Sequence, residues 1–460
     1  MATKPKIKTL TNSSVDILNA IRNNASTNYR DYVPQATADS DSIREIGAVI
    51  MDYPALQNEF LSALVNRIGR VILTSKSYDN PWAMFKKGML EFGESIEEVF
   101  VNIAKPFQFD PQVAESNVFK REIPDVRSAF HIMNYQKFYK ATISNDQLRQ
   151  AFLSIDGVID LIARIVDAMY TGANYDEFQT MKYMLAKHIL NGQMNPVTIP
   201  DINTANMNSI VSTIKSVSNK FTFLSSKNNL AGVMNHTPKQ EQFLLVNSKF
   251  DATMNVEVLA SAFNMDRAEF DGHHVLVDSF GDLDIERLNI LFADDPTYTE
   301  IKKEELEALD AIPCVMVDSD WFMIFDNYQN FTEKYNGEGL YWNYWYHVWK
   351  TFSVSPFSNN AVFVAGTPAV KKVTVTPSVA TVSAGGQLQL NVTVDTDNYA
   401  PQSVIWSIAE GDDKASISST GMLKVNSDAT AGTITVKATS TFDSTKFGEA
   451  TITVTVAQIK

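Results

Sequence analysis

One cysteine in 460 residues, Cys314, leaves no partner for a disulfide within the chain. A disulfide-stapled secreted scaffold is therefore excluded. Cys314 sits in the apolar run AIPCVMV and is read as a small buried hydrophobe. No apolar run approaches the ~18–20 residues that a membrane-spanning helix needs. The opening stretch, MATKPKIKTLTNSS, holds no apolar signal segment, so synthesis in a cytoplasm without an export address is expected. Positive charge is scarce: 39 Lys and Arg stand against 53 Asp and Glu, a net charge of −14. The imbalance is local. Residues 368–460 carry 7 basic and 8 acidic side chains, which leaves 32 and 45 before Pro368 and places 13 of the 14 surplus negative charges there. Gripping nucleic acid along a surface requires concentrated Lys and Arg, so that function is not expected, although enclosing DNA without binding it is compatible. A glycine-rich phosphate loop and a βαβαβ rhythm are also missing.

What is abundant is aromatic surface on one segment. Gly339–Gly366 reads GLYWNYWYHVWKTFSVSPFSNNAVFVAG and holds three of the six tryptophans, Trp342, Trp345 and Trp349. Two periodicities fit it. Trp342, Trp345, Tyr346 and Trp349 lie at helical spacing, while alternation groups Trp342, Tyr344, Tyr346, Val348, Phe352 and Val354 on one face. Aromatic and β-branched enrichment favours strands. A strand over 341–355 would be roughly 50 Å long at ~3.3 Å per residue. Such a face needs an extensive apolar partner, either the chain's own core or a neighbouring subunit.

Along the rest of the chain, 1–60 reads as an arm with a short amphipathic helix at Val15–Asn24. A second helix is expected at Ala55–Val71. Residues 72–103 read as extended. Within them FKKGMLEFG is read as a positively charged hairpin tip, with Phe85, Lys86, Lys87, Gly88 and Met89 as candidate subunit-contact residues that could meet a neighbour's carboxylates. Residues 146–190 are strongly helical, with a break expected at Thr171-Gly172 and a stop at Asn191-Gly192. From 200 to 335 helices and strands mix in an α+β pattern. Helices are expected at 207–217, 256–263 and 301–309, the last with a Thr297–Glu300 capping box. HVLVDSF, CVMVDSD and WFMIFDN read as strands. Residues 370–456 alternate as strands with short turns, the pattern of a β-sandwich, with Trp406 placed as its inter-sheet tryptophan.

No catalytic constellation emerges. FDGHHVLVDSFGDLD gathers His273 and His274 with Asp271, Asp278, Asp282 and Asp284, but adjacent histidines on a strand point to opposite faces, so no metal site is expected. His131, His188, His236 and His347 have no Ser or Cys company at motif spacing. No catalytic residue and no cofactor is assigned. Two other classes are less well supported by the sequence: a glycan-binding surface adhesin calls for an export signal and repeated modules, and an enzyme calls for a nucleophile–base or metal constellation.

Five segments resemble the major capsid proteins of phi-29-type small tailed bacteriophages in order and spacing. They are VDILNAIRNN, FKREIPDVRSAFHIMNYQKFY (119–139), VLASAFNMDRAEF (258–270), DSDWFMIFDN (318–327) and the aromatic run at 339–366. The resemblance implies an α+β capsid fold of the Hong Kong 97 type over 1–367. By it, 1–60 is the N-terminal arm and 72–103 the extended loop. About 104–199 with 339–366 is the peripheral domain, and 200–338 the axial domain. WSIAEGDDKASISSTGMLKV (406–425) followed by GTITVKATS is similar to the group 2 bacterial immunoglobulin-like domain, expected at 368–460. Implied partners are further copies in hexamers and pentamers, a scaffolding protein, a portal or connector, and enclosed double-stranded DNA. Head fibre or decoration proteins are also possible partners. No membrane is implied.

Overall fold

The computed structural model describes residues 14–37, 39–72, 78–90, 95–110, 119–145, 157–203, 205–253 and 273–455. The chain falls into two compact units. The first comprises 1–95, 132–180 and 324–352; the second comprises 96–131, 181–323 and 353–460. In chain order the helices are α1 (Ser14–Asn24), α2 (Thr27–Tyr32), α3 (Ser40–Asp52), α4 (Pro54–Ile72), α5 (Gly157–Leu190), α6 (Met207–Phe221), α7 (Ser248–Asp251), α8 (Ile285–Leu291) and α9 (Lys303–Asp310). The strands before the C-terminal module are β1 (Lys86–Met89), β2 (Ile96–Val101), β3 (Val126–His131), β4 (Tyr135–Ser144), β5 (Pro196–Ile199) and β6 (Gln242–Asn247). β7 (His274–Val277), β8 (Cys314–Asp318), β9 (Phe322–Asn336), β10 (Tyr341–Val354) and β11 (Asn360–Ala365) follow.

In the first unit the sheet order is β1-β9-β10-β4. The aromatic run is a strand, as its alternation predicts. Trp342, Tyr344, Tyr346 and Val348 are buried on one face while the intervening residues are half-exposed. The buried face finds its partner in the chain itself. α1, α3 and α4 supply Leu18, Ile46, Ile50 and Phe60, and α5 supplies Val166 and Met169 to the same core. Tyr346 lies 4.6 Å from the Tyr170 ring, and Trp342 5.2 Å from Tyr335. Each fully covered side chain of this kind contributes about 1.5–3 kcal/mol. The segment expected as an arm carries more helix than expected: beyond the helices foreseen near 15–24 and 55–71, α2 and α3 form as well, because its apolar residues recur every three or four positions and cover one sheet face. The break at Thr171-Gly172 is also absent. α5 runs unbroken through it, since burial of Met169 and Ala173 outweighs the ~1 kcal/mol helical cost of one glycine. Leu148, Phe152 and Ile155, expected in the same helical stretch, lie outside the described residues.

At the centre of this unit four charged side chains are packed together. Glu177 on α5 pairs with Lys350 on β10, and lies 3.2 Å from Lys86 on β1. Asp326 on β9 is 2.6 Å from Lys86 and 3.0 Å from Lys350. The Asn80 amide donates to Glu177 at 2.6 Å. Burial, and then the adjacent Lys86 ammonium, push the Lys350 ammonium well below its ordinary value. The two carboxylates are what keep both lysines tolerable. Glu177→Ala is expected to lower the unfolding free energy by about 3–5 kcal/mol in urea denaturation, whereas Glu177→Met with Lys350→Met stays near wild type. A Glu177→Ala loss under about 1 kcal/mol, the range of an exposed pair, would remove this role.

The second unit contains a five-stranded sheet ordered β5-β11-β8-β6-β7. β8 is buried at all five positions, as a central strand requires, and burial raises the pKa of its Cys314 thiol. α6 covers one face, placing Ile210, Ile214 and Phe221 against Val246, Met316 and Phe363. α9 starts at Lys303, later than expected. Its cap is the Glu305 carboxylate accepting from the Lys302 amide at 2.8 Å, in place of Thr297–Glu300. The 256–263 helix falls outside the described residues. β9 pairs within the first unit's sheet, so 324–338 separates from the segment 200–338 in which it was expected.

Residues 369–455 form the expected sandwich. A four-stranded sheet runs Val379–Ser383, Phe447–Thr455, Gly432–Ser440, Val404–Glu410. It packs through Ile434, Val436, Ile452 and Val454 on Val373, Leu390 and Leu423 of the facing strands. Trp406 is half-buried against this core.

Candidate assembly surface

The residues expected at a hairpin tip lie elsewhere in the fold. Lys86–Met89 is a strand, β1, that pairs in parallel with β9, with Lys86 opposite Ile324 and Met89 opposite Asp326. Phe85 is buried with its ring edge-on to Trp82 at 6.4 Å. Lys86 meets carboxylates of its own chain, Glu177 and Asp326. Lys87 and Gly88 are exposed, and so is Met89. This corrects the tip reading. The two lysines point to opposite faces of a strand, and the inward one is neutralised inside the subunit.

The hairpin itself is β2 with β3. They pair antiparallel from Ile96↔His131 to Val101↔Val126. Their two faces differ. Ile96, Glu98 and Phe100 turn toward the second unit, whereas Glu97, Val99 and Val101 turn to solvent. The inward face is pinned by specific bonds. Glu98 accepts from the Ser355 hydroxyl at 2.7 Å and from His131 Nε2 at 3.2 Å. His131 is buried, and its Nδ1 lies 2.7 Å from the Ser353 hydroxyl. A proton on Nε2 satisfies the carboxylate and leaves Nδ1 to accept from Ser353. Phe100 stacks on Phe357 at 5.5 Å. Farther out, Arg127 donates to the Ala231 carbonyl, and the Met234 amide donates to Asn102 Oδ1 at 3.2 Å. The Asn102 amide and then Arg127 hold the Asp125 carboxyl below its usual range, across the hairpin.

The outward face is apolar. Val99, Val101 and Val126 are more than half exposed, and Phe130 is 65% exposed. Beyond the last paired residues the pattern continues: Phe109 is 90%, Phe119 91% and Ile123 84% exposed. Isolated exposed apolar residues need no explanation, but a contiguous set on a pinned hairpin marks an interaction surface. The extended loop is expected at 72–103, whereas the antiparallel hairpin of the structure spans 96–131. Apolar alternation in IEEVFVNI and VRSAFHI looks the same whether it faces a core or a neighbour. Pro106, Pro111 and Pro124 between the two runs were the available sign that they flank a long loop.

The histidine and aspartate cluster does not converge. His273 Nδ1 lies 3.2 Å from the Gln242 carbonyl, His274 3.1 Å from Asp251, and Asp278 2.6 Å from Lys182. Asp284 caps α8. Asp271 lies outside the described residues.

Removing the Glu98 side chain tests the pinned root. Glu98→Ala is expected to speed amide exchange across β3 by about tenfold or more, the loss of one to two charge-assisted hydrogen bonds, with little change in the thermal midpoint of the whole chain. Unchanged exchange would show that the root does not depend on this carboxylate.

Comparison with known proteins agrees with this geometry. The family of Phi29-like phage major capsid proteins matches residues 18–364, and group 2 bacterial Ig-like domains match residues 369–447. The major capsid protein of Bacillus phage B103 is 37% identical over 432 residues, spanning 93% of this chain and 90% of that protein. That of Bacillus phage PZA is 35% identical over 431 residues, with the same coverage. In fold, the capsid structure of Staphylococcus phage Andhra superposes with a TM-score of 0.51 at 14% identity, over 64% of this chain and 86% of that one. The fold is of the Hong Kong 97 type with a strand-rich C-terminal addition. This chain belongs to the Phi29-like phage major capsid protein family, a structural family whose members form the capsid of the virion.

Proposed function

We propose that the chain closes into hexamers and pentamers in which the 96–131 hairpin of each copy lies across its neighbour. The observation that carries this is the hairpin's outward apolar face, from Val99 to Phe130, held away from its own chain by a pinned root. Association costs about 4–15 kcal/mol, and each covered apolar side chain returns about 1.5–3. A handful of such contacts per interface therefore decides whether a shell forms, and repetition around a closed surface multiplies the effect. The first unit's sheet and helices serve as the peripheral domain, and the β5–β11 sheet as the axial one. A scaffolding protein sets curvature, a portal or connector occupies one vertex, and head fibre or decoration proteins bind outside. The acidic body encloses double-stranded DNA without gripping it, supported by the excess of negative charge before Pro368. The immunoglobulin-like module projects from the outer surface. Met89, exposed at the end of β1, is a further contact candidate.

The test is co-expression with the scaffolding protein and electron microscopy of the particles. Val101→Asp with Phe130→Asp is expected to leave folded subunits and reduce shell yield by more than about tenfold, since each substitution removes about 1.5–3 kcal/mol per contact. Wild-type yield from the double variant would refute the hairpin contact. Module density inside the shell wall would refute the outward placement.

A further inference from the structure

The immunoglobulin-like module begins a few residues after β11, and such a connection ordinarily lets a module swing. Here four separate features tie it down. α5 ends at Leu190, and Gly192 just beyond it is buried with φ +60. A Cβ placed on Gly192 would lie 2.5 Å from the Ala400 carbonyl oxygen and 3.1 Å from the Gln402 nitrogen, both in the module. The glycine therefore answers two demands at once: a left-handed turn that closes the helix, and a notch that admits another backbone.

The module's side of the contact is built to match. Asn398 and Tyr399 are consecutive non-glycine residues in the left-handed region, at φ 49 and 59. Asparagine tolerates that conformation, but for tyrosine it is sparsely populated and persists only where the surroundings fix it. The turn delivers Ala400, fully buried, and Pro401 onto Gly192. The Gln402 amide then donates to the Leu190 carbonyl at 3.3 Å, one of the acceptors that a helix end leaves without an intrahelical partner. The linker is fastened to the same turn. Asn398 Nδ2 donates to the Thr367 carbonyl at 2.9 Å, a Cβ on Gly366 would meet Asn398 at 2.8 Å, and Pro368 is buried.

We infer that the 398–402 turn is a docking element whose partner is the C-terminal end of α5 in the same chain, so that the module is a fixed strut of the subunit. The geometry does not need an external ligand, because helix carbonyl, amide donor, glycine notch and linker already complete each other. A module held in this way transmits force to α5, whereas a tethered one would not.

Imaging of wild-type shells beside Gly192→Val shells tests this. In wild-type particles the module's density is expected to be as sharp as that of the five-stranded sheet. In Gly192→Val particles the body stays sharp and the module blurs. Should that variant fail to assemble, amide exchange of the unassembled full chain serves in its place: the amides of Tyr399, Ala400 and Gln402 exchange about tenfold faster in Gly192→Val than in wild type, as overpacking a close contact requires. A blurred module in wild-type shells, or a module equally sharp with valine at 192, would overturn the inference. So would identical exchange at these amides.

Discussion

The second unit carries an apolar surface that the described residues leave exposed. Val99, Val101, Val126 and Phe130 line the outer face of one hairpin, and Phe109, Phe119 and Ile123 extend it. The hairpin's other face is occupied, with Glu98, Phe100 and Arg127 each engaged with its own unit. Folding back to hide the apolar face would break those bonds and strand the Glu98 carboxylate beside a buried His131. The bonds at the root thus keep the apolar face turned away from the described residues of its own unit.

The first unit gains stiffness from two sources of different kinds. The alternating aromatic strand packs on helices from the N-terminal segment and on α5, giving non-directional burial. The Lys86–Glu177–Lys350–Asp326 cluster adds direction, because each charge is tolerated only while its partners hold position. It binds β1, β9, β10 and α5 together. Lys86, read from sequence as a contact for a neighbour's acids, performs that pairing inside its own subunit.

Much of the architecture was legible because it rests on periodicity. The aromatic run, the fully apolar CVMVD strand, the α5 stop at Asn191-Gly192 and the C-terminal sandwich follow from local pattern and from turn residues that admit positive φ. What was not legible depends on partners distant in sequence. Nothing local says that Lys86 faces Glu177, 91 positions away, or that the apolar residues of 14–61 find a sheet assembled from 135–144 and 322–354. The hairpin at 96–131 was hard to read for a related reason: its outward side chains look like core residues in sequence, and only their exposure in the fold distinguishes them. Gly192 was recognised as a helix stop, but its second task, admitting Ala400 from more than 200 residues away, has no signature in the sequence around it.

Radical footprinting of phenylalanine side chains addresses the central claim most directly, by comparing free subunits with assembled shells. Phe109, Phe119 and Phe130 are expected to be readily modified in the free subunit and strongly protected in shells. Phe178, buried in the core, should stay protected in both. Equal modification of the three hairpin residues before and after assembly would contradict the account, because the apolar face would then still be in water.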